Sequence, residues 1–372
     1  MARTGFAQLP LHGGKAPRWL FERMVPLSRE IVIFLASEFG RDEVLRRLSD
    51  PYWFQAFGCV LGFDWHSSGL TTTVCGALKE GLRGLEKDLG IHVGGGKGAT
   101  SRKTPAEIIA ACESIGCDPA PLVYASRISA KVDSSAVQDG YQLYHHAFVF
   151  TPARHWCIVQ QGMNDTNAMA RRYHWLSDDV KSYVNEPHAA VCCDARTETL
   201  NLVAAESEEV RTTSAALARE RPEVTLQALH HLPLLDMPRR HAVMADDVDP
   251  KYLHKILLRT YEQAPPDFEA LLSIQGVGAK TLRALALTSE LIYGTHASHR
   301  DPARYSFAHG GKDGTPYAVD RVTYDTTIEV MRNALNRAKV DRSEKVHAFR
   351  RLASLAPPAL AVAQTSGAPR GS

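Results

Sequence analysis

This 372-residue chain has no apolar run approaching the ~20 residues that a membrane-spanning helix needs. It has no signal-peptide core either, because Leu9-Pro10-Leu11-His12-Gly13-Gly14 interrupts the N-terminal apolar residues. Cysteine is sparse: the seven form no C-x-x-C pair and none follows Cys193. That excludes a disulfide framework of the secreted type and leads us to expect unpaired thiols in a reducing, cytoplasmic setting. An excess of either charge is missing too. With 43 Lys and Arg against 41 Asp and Glu the net charge is +2, so any nucleic-acid surface would be a local patch. A Walker motif is absent, because Gly98 and not Ser or Thr follows Lys97 in Val93-Gly94-Gly95-Gly96-Lys97-Gly98. No His, Cys, Asp or Glu set has a metal-diagnostic spacing, and the adjacent His145 and His146 would point to opposite faces of a strand. Neither a metal nor a cofactor is expected.

What is present reads as an α+β chain. A mixed N-terminal and central part holds a small antiparallel sheet, and an all-α C-terminal domain follows. Residues 1–121 read as mainly helical, with one amphipathic helix over 27–48 that Ser28 caps and Asp50-Pro51 stops. Aromatics crowd residues 52 to 65, ending in Trp65 and His66. The glycine-rich stretch at 93–98 reads as a basic loop in which Lys97 and Arg102 suit phosphate oxygens, and Thr104-Pro105-x-Glu107 reads as a helix cap. In residues 122–205, 141–150 and 156–161 read as two strands joined by Thr151-Pro152-Ala153-Arg154-His155, with further strands near Cys192-Cys193 and 200–203. Gln160, Gln161, Arg171, Arg172 and Tyr173 are types that read base edges or stack on bases. A polar network supporting the sheet is the alternative. Residues 206–248 read as a connector, 249–345 as the helical domain, and 346–372 as a tail disordered from about Pro357.

One stretch carries the functional argument. Leu271, Leu272 and Ile274 end an apolar helical face, Gly276-Val277-Gly278 forms a tight turn, and a second helix starts near Ala279. Both glycines permit positive φ and close backbone approach. The free amides at such a helix start form an anion site that a phosphate suits. Ile274-Gln275-Gly276-Val277-Gly278-Ala279-Lys280-Thr281 resembles the helix-hairpin-helix of DNA-binding proteins. With Lys280 two residues after the second glycine and Tyr317-Ala318-Val319-Asp320 before a further helix over 326–338, the last third of the chain resembles the endonuclease III-like DNA glycosylases.

That resemblance implies a DNA repair enzyme acting on double-stranded DNA, excising a damaged or modified base and possessing AP lyase activity. Lys280 would be the nucleophile and Asp320 the group that stabilises charge at the sugar or shuttles the proton. Gly276, Val277, Gly278 and Thr281 would hold phosphate, and Lys280 would be activated by burial near the helix start. The sequence departs from the family at one place: 320 − 280 = 40 residues separate the lysine from the aspartate, so an insert over 299–315 must loop out. The insert's His309, Lys312 and Asp313 are pocket candidates, with Trp65, His66, Tyr173, Gln160 and Gln161. The four-cysteine cluster of some relatives is absent, because no cysteine follows Lys280. Two other readings stay open. One is a metal-dependent nuclease using Asp139 and a histidine, with the hairpin as anchor. The other is a non-catalytic nucleic-acid-binding accessory protein. The whole chain also resembles an uncharacterised family of thermophilic archaea and bacteria, through Leu9-Pro10-Leu11-His12-Gly13, Asp64-Trp65-His66-Ser67-Ser68-Gly69, Gln160-Gln161-Gly162-Met163 and Gly310-Gly311-Lys312-Asp313-Gly314.

Overall fold

The computed structural model describes residues 16–63, 67–193, 196–230, 250–303 and 321–355. Its first layer is helical: α1 (Arg18–Phe39), α2 (Arg41–Ser49), α3 (Pro51–Leu61), α4 (Gly69–Leu82) and the single turn α5 (Glu86–Leu89). The single helix expected over 27–48 is in fact two, because Gly40 takes φ 88° between them. Ser28 is no cap; it is buried inside α1, where its hydroxyl donates to the carbonyls of Val25 and Ala77. The stop at Asp50-Pro51 holds. Asp50 ends α2 and caps α3 by accepting from the Trp53 amide at 2.7 Å, with proline in the first turn. Every residue of α3 from Tyr52 to Leu61 is buried, so the aromatics at 52–57 are core and not a stacking surface. Trp65 and His66 lie outside the described residues.

Strand β1 (His92–Lys97), α6 (Thr104–Ile115) and α7 (Ala120–Lys131) follow. The expected basic loop is therefore an edge strand paired antiparallel with the sheet. Glycine is required at Gly95, whose φ is 85° and where a Cβ would meet the His146 carbonyl oxygen at 2.1 Å. Glu107 makes no capping box. Its carboxylate accepts from the Gly95 amide and from Lys79 Nζ, pinning α6 to the strand. Cys112 and Cys117 are joined as a disulfide at the end of α6, which corrects the expectation of unpaired thiols.

The centre is an antiparallel sheet. Strands β3 (Gln142–Phe150), β4 (Trp156–Asn164), β5 (Met169–Leu176) and the short β6 (Ala190–Cys192) join β1 in the order β1-β3-β4-β5-β6. A two-residue strand β2 (Val137–Gln138) pairs separately with β7 (Leu200–Asn201). The hairpin at 150–156 stands where the alternating pattern places it. Strand β5 escaped the sequence reading, because Arg171, Arg172, Tyr173 and His174 do not look like sheet interior.

Helices cover both faces of the sheet. On one face Ala147, Val149, Cys157, Val159 and Leu176 join the core of α1 to α4. On the other face Phe148, Phe150, Ile158, Tyr173 and Trp175 join α6, α7 and the later helices. This is the period-two alternation of a strand buried on both sides. The later helices are α8 (Glu208–Leu217), α9 (Pro222–His230), α10 (Pro250–Gln263), α11 (Phe268–Ser273), α12 (Ala279–Tyr293), α13 (Arg321–Arg337) and α14 (Arg342–Leu355). Within the expected connector lie helices α8 and α9, both packed on α12. The expected helical domain 249–345 divides between the two cores: α10 to α12 belong to the second, whereas α13 and α14 pack on α1 and α3 in the first. The α+β class stands. No helix of the described residues is long and apolar enough to cross a membrane.

Candidate functional site: a braced helical turn and a buried polar centre

The turn between α11 and α12 is held from behind. Asp267 caps α11 by accepting from the Ala270 amide at 2.8 Å, and α12 begins at Ala279 as the sequence pattern requires. Lys131, at the end of α7, donates to the carbonyls of Ile274 at 3.1 Å and Val277 at 2.5 Å. Arg259 of α10 donates to the Gln275 carbonyl. Gln138 of β2 donates to the Ala279 carbonyl at 2.9 Å and accepts from Arg283. Side chains from three separate elements thus occupy the carbonyls of the turn. The first amides of α12 have no carbonyl within their own helix and lie at its positive end.

Only one of the two glycines needs to be glycine. Gly276 has φ 97°, and a Cβ there would sit 2.5 Å from Ile256 Cδ1. Gly278 is extended backbone at φ −139° with open space around it. Val277 and Thr281 are buried beneath the turn, so Thr281 contributes packing while Lys280 stands exposed beside it. The expected burial of the Lys280 amine is absent. Its proposed partner Asp320, with His309, Lys312 and Asp313, lies outside the described residues. Helix α13, which starts at Arg321, belongs to the first core, whereas α12 belongs to the second.

The remaining predicted DNA-facing residues divide by exposure. Lys97 and Arg102 are exposed; Lys97 lies over the Tyr144 ring and Arg102 follows in the 3-10 turn Gly98–Lys103. Arg171, Arg172, Tyr173, Gln160 and Gln161 are each 0 % exposed, which removes them as direct partners of a duplex. Their polarity serves the sheet. Arg171 bridges Asp139 at 2.9 Å and Asp301 at 2.6 Å and lies over Tyr141. Tyr173 donates to the same Asp139 oxygen. Asp139, proposed for a nuclease, is therefore the counter-ion of a buried guanidinium. Burial pushes its carboxyl above the ordinary range, against the opposing pull of Arg171. On the other face Arg172 donates to Thr71 and Gln55, and Gln161 donates to the Ser68 carbonyl at 2.8 Å and bonds Thr71. Burial lowers the Arg172 guanidinium to about 10. Among the described residues no group of three His, Cys, Asp or Glu is arranged to hold a metal ion.

A chain of buried polar groups that sequence reasoning missed runs through the same sheet. Ser126 Oγ lies 2.9 Å from His146 Nε2, and His146 Nδ1 lies 2.8 Å from Gln160 Oε1. Gln160 Nε2 then donates to Asp133 at 2.5 Å. Because the amide oxygen can only accept, His146 carries its proton on Nδ1 and accepts from Ser126 at Nε2. Asp133, 0 % exposed on the π-helical turn Val132–Ala136, also accepts from Trp175 Nε1 and from His188 Nε2 at 2.5 Å. The detectable signal was polar residues at inward strand positions, as in Ile158-Val159-Gln160-Gln161. Nothing in the sequence singles out Asp133, and His188 is only one of several histidines without a metal-diagnostic spacing. His188 lines a cavity of about 390 Å³ between β6, β7 and residues 300–303. Lys280 does not line it.

No curated protein and no solved structure matches this sequence. A family model described as "Protein of unknown function (DUF763)" matches residues 5–319, which spans the helical layer, the sheet and the braced turn, and the chain belongs to that family.

Proposed function

We propose that this is a DNA repair protein that grips double-stranded DNA through the turn between α11 and α12. The observation that carries the reading is the brace. Lys131, Arg259 and Gln138 bind the carbonyls at Ile274, Gln275, Val277 and Ala279, so the turn is fixed before any ligand arrives. A phosphate taken by the α12 amides then binds at no cost in loop ordering, and Lys280 adds a charge beside it. The resemblance of Gly276-Val277-Gly278-x-Lys280 to helix-hairpin-helix glycosylases supports the same reading.

The activity we propose on this grip is base excision. A base swung out of the stack loses its glycosidic bond as Lys280 Nζ attacks C1′; the base departs with a proton, and an imine joins enzyme and sugar. Loss of the acidified sugar proton then breaks the 3′ phosphate bond. Asp320 would stabilise the positive sugar. Since Lys280 is exposed in the free protein, the duplex itself has to desolvate the amine. That exposure also favours a second, non-catalytic reading in which Lys280 only touches phosphate. Borohydride trapping on lesion-bearing duplexes decides between them. Excision predicts a covalent adduct that Lys280→Ala abolishes. Duplex binding without any adduct leaves the grip alone, and no duplex binding removes both.

A further inference from the structure

We propose that the cavity beside β6 and β7 is a second ligand site, independent of the braced turn, that binds a phosphorylated small molecule and exchanges a proton with it through His188. Three local irregularities converge there. Asp133 is presented by a π-helical turn, a conformation concentrated at functional sites. Glu186, two residues before His188, holds φ 44°, which is strained for a residue with a side chain. The His188 Nε2–Asp133 hydrogen bond, at 2.5 Å, lies within a cage in which Trp175 and Gln160 donate to the same carboxylate.

The chemistry follows from donor and acceptor roles. A carboxylate only accepts, so His188 keeps its proton on Nε2. In its neutral form the ring is thereby held in one tautomer, with its lone pair on Nδ1. His188 lines the cavity, and Nδ1 is the ring nitrogen left for an occupant. Trp175 packs edge-on against the ring at 4.6 Å and fixes its plane. Arg196 and Arg300 also line the cavity. Arg300 pairs with Glu206 across the exposed rim, and among the described residues Arg196 has no carboxylate within ion-pair distance. The acids of the lining differ in role. Asp301 is consumed by Arg171 and the Thr197 amide, while Glu186 is exposed. Two arginines that line the same cavity as a histidine suit a phosphate, whose oxygens accept from guanidinium and whose remaining proton passes to a base. Bound as a monoanion, the phosphate gives that proton to Nδ1. The products are a phosphate dianion on the arginines and an imidazolium on Asp133, with charge conserved. A cavity of about 390 Å³ takes a phosphate and has room for the rest of a nucleotide-sized molecule.

The test uses full-length protein labelled with 15N-histidine, with inorganic phosphate as the probe and His188→Gln to assign the resonance. His188 is expected as the Nε2–H tautomer. Phosphate should move its Nδ1 signal saturably toward the protonated form, and Arg196→Ala should weaken that binding at least about tenfold, roughly 1.4 kcal/mol. Asp133 is a positioning residue, so Asp133→Asn should mix the tautomers. If that variant does not fold, the wild-type tautomer and the Arg196→Ala titration still decide. An Nδ1–H tautomer in the wild type, a His188 signal that phosphate does not move, or an unchanged affinity in Arg196→Ala overturns the proposal. An equal response to acetate overturns the assignment to phosphates. None of these readings involves duplex DNA or Lys280, so this proposal and the DNA grip fail separately.

Discussion

Acidification from pH 8 to pH 5 should lower stability, and one buried histidine, His145, should account for about 2 kcal/mol of the loss. His145 is 1 % exposed on β3 with neither ring nitrogen bonded. Burial lowers it to about 3, with the charges of His146, Arg172 and Lys97 acting in the same direction. His174 is lowered well below 6.5 by burial first and Arg172 second. In both cases the folded state binds fewer protons than the unfolded chain. The stabilisation is therefore complete above about pH 6.5 and declines as pH falls, for His145 through the window from 6.5 to about 3. Each such imidazole contributes a slope of about 1.4 kcal/mol per pH unit. Between 6.5 and 5 that amounts to about 2 kcal/mol for His145, out of a typical 5–15, and His174 adds a loss of the same sign. Urea unfolding at pH 8, 6.5 and 5 measures the loss. The sharper arm is His145→Leu. Leucine matches the Ala147 and Val149 side of the sheet and removes two unbonded nitrogens, so stability at pH 8 should hold or rise while the acid loss shrinks by about 2 kcal/mol. Asp139, raised by burial, acts in the opposite sense, and the paired comparison isolates the imidazole from it. An acid loss of the same size with and without His145 would refute the reasoning.

Three further outcomes follow from the same geometry. Lys131→Met keeps the aliphatic stem but removes two charge-assisted bonds to the turn, so we expect about 2–4 kcal/mol lower stability by urea titration and faster amide exchange at residues 274–281; unchanged exchange there would contradict the brace. Gly276→Ala should cost about 1–3 kcal/mol because of its φ of 97° and the Ile256 overlap, whereas Gly278→Ala, in open space, should cost under about 1 kcal/mol; equal thermal shifts would contradict this. Arg171→Ala leaves Asp139 and Asp301 facing each other without their cation and should cost about 3–5 kcal/mol, while a surface role on DNA would leave the melting temperature unchanged.

Much of the fold is legible in the sequence, and the illegible parts have a common cause. Alternating apolar residues mark β3 and β4, and the Leu271–Ala279 pattern marks the turn and the start of α12. Residues 171–174 mislead, because Arg171 and Arg172 are paired inside the sheet and a buried charge looks like a surface one in a sequence. Gly94 to Gly96 mislead in the opposite way: they resemble a phosphate loop but form strand β1, and Gly95 is needed where it passes the His146 carbonyl of β3. The turn at 274–281 is visible as an anion site, but its brace is not, since Lys131 is 143 positions from Ile274. His188 and Asp133, 55 residues apart, carry no motif at all. Long-range pairing of single polar residues is what a pattern of local periodicities cannot encode.

A turn braced from behind is proposed to hold a DNA phosphate at the start of α12. The salt dependence of duplex binding tests it most directly, compared between the wild type and Lys280→Ala by fluorescence anisotropy. Salt-dependent duplex binding is expected, with a slope of log K against log salt that falls by about 1 in the variant because one phosphate is no longer neutralised by a lysine. Identical slopes in the two proteins, or no duplex binding by the wild type at low salt, would contradict it.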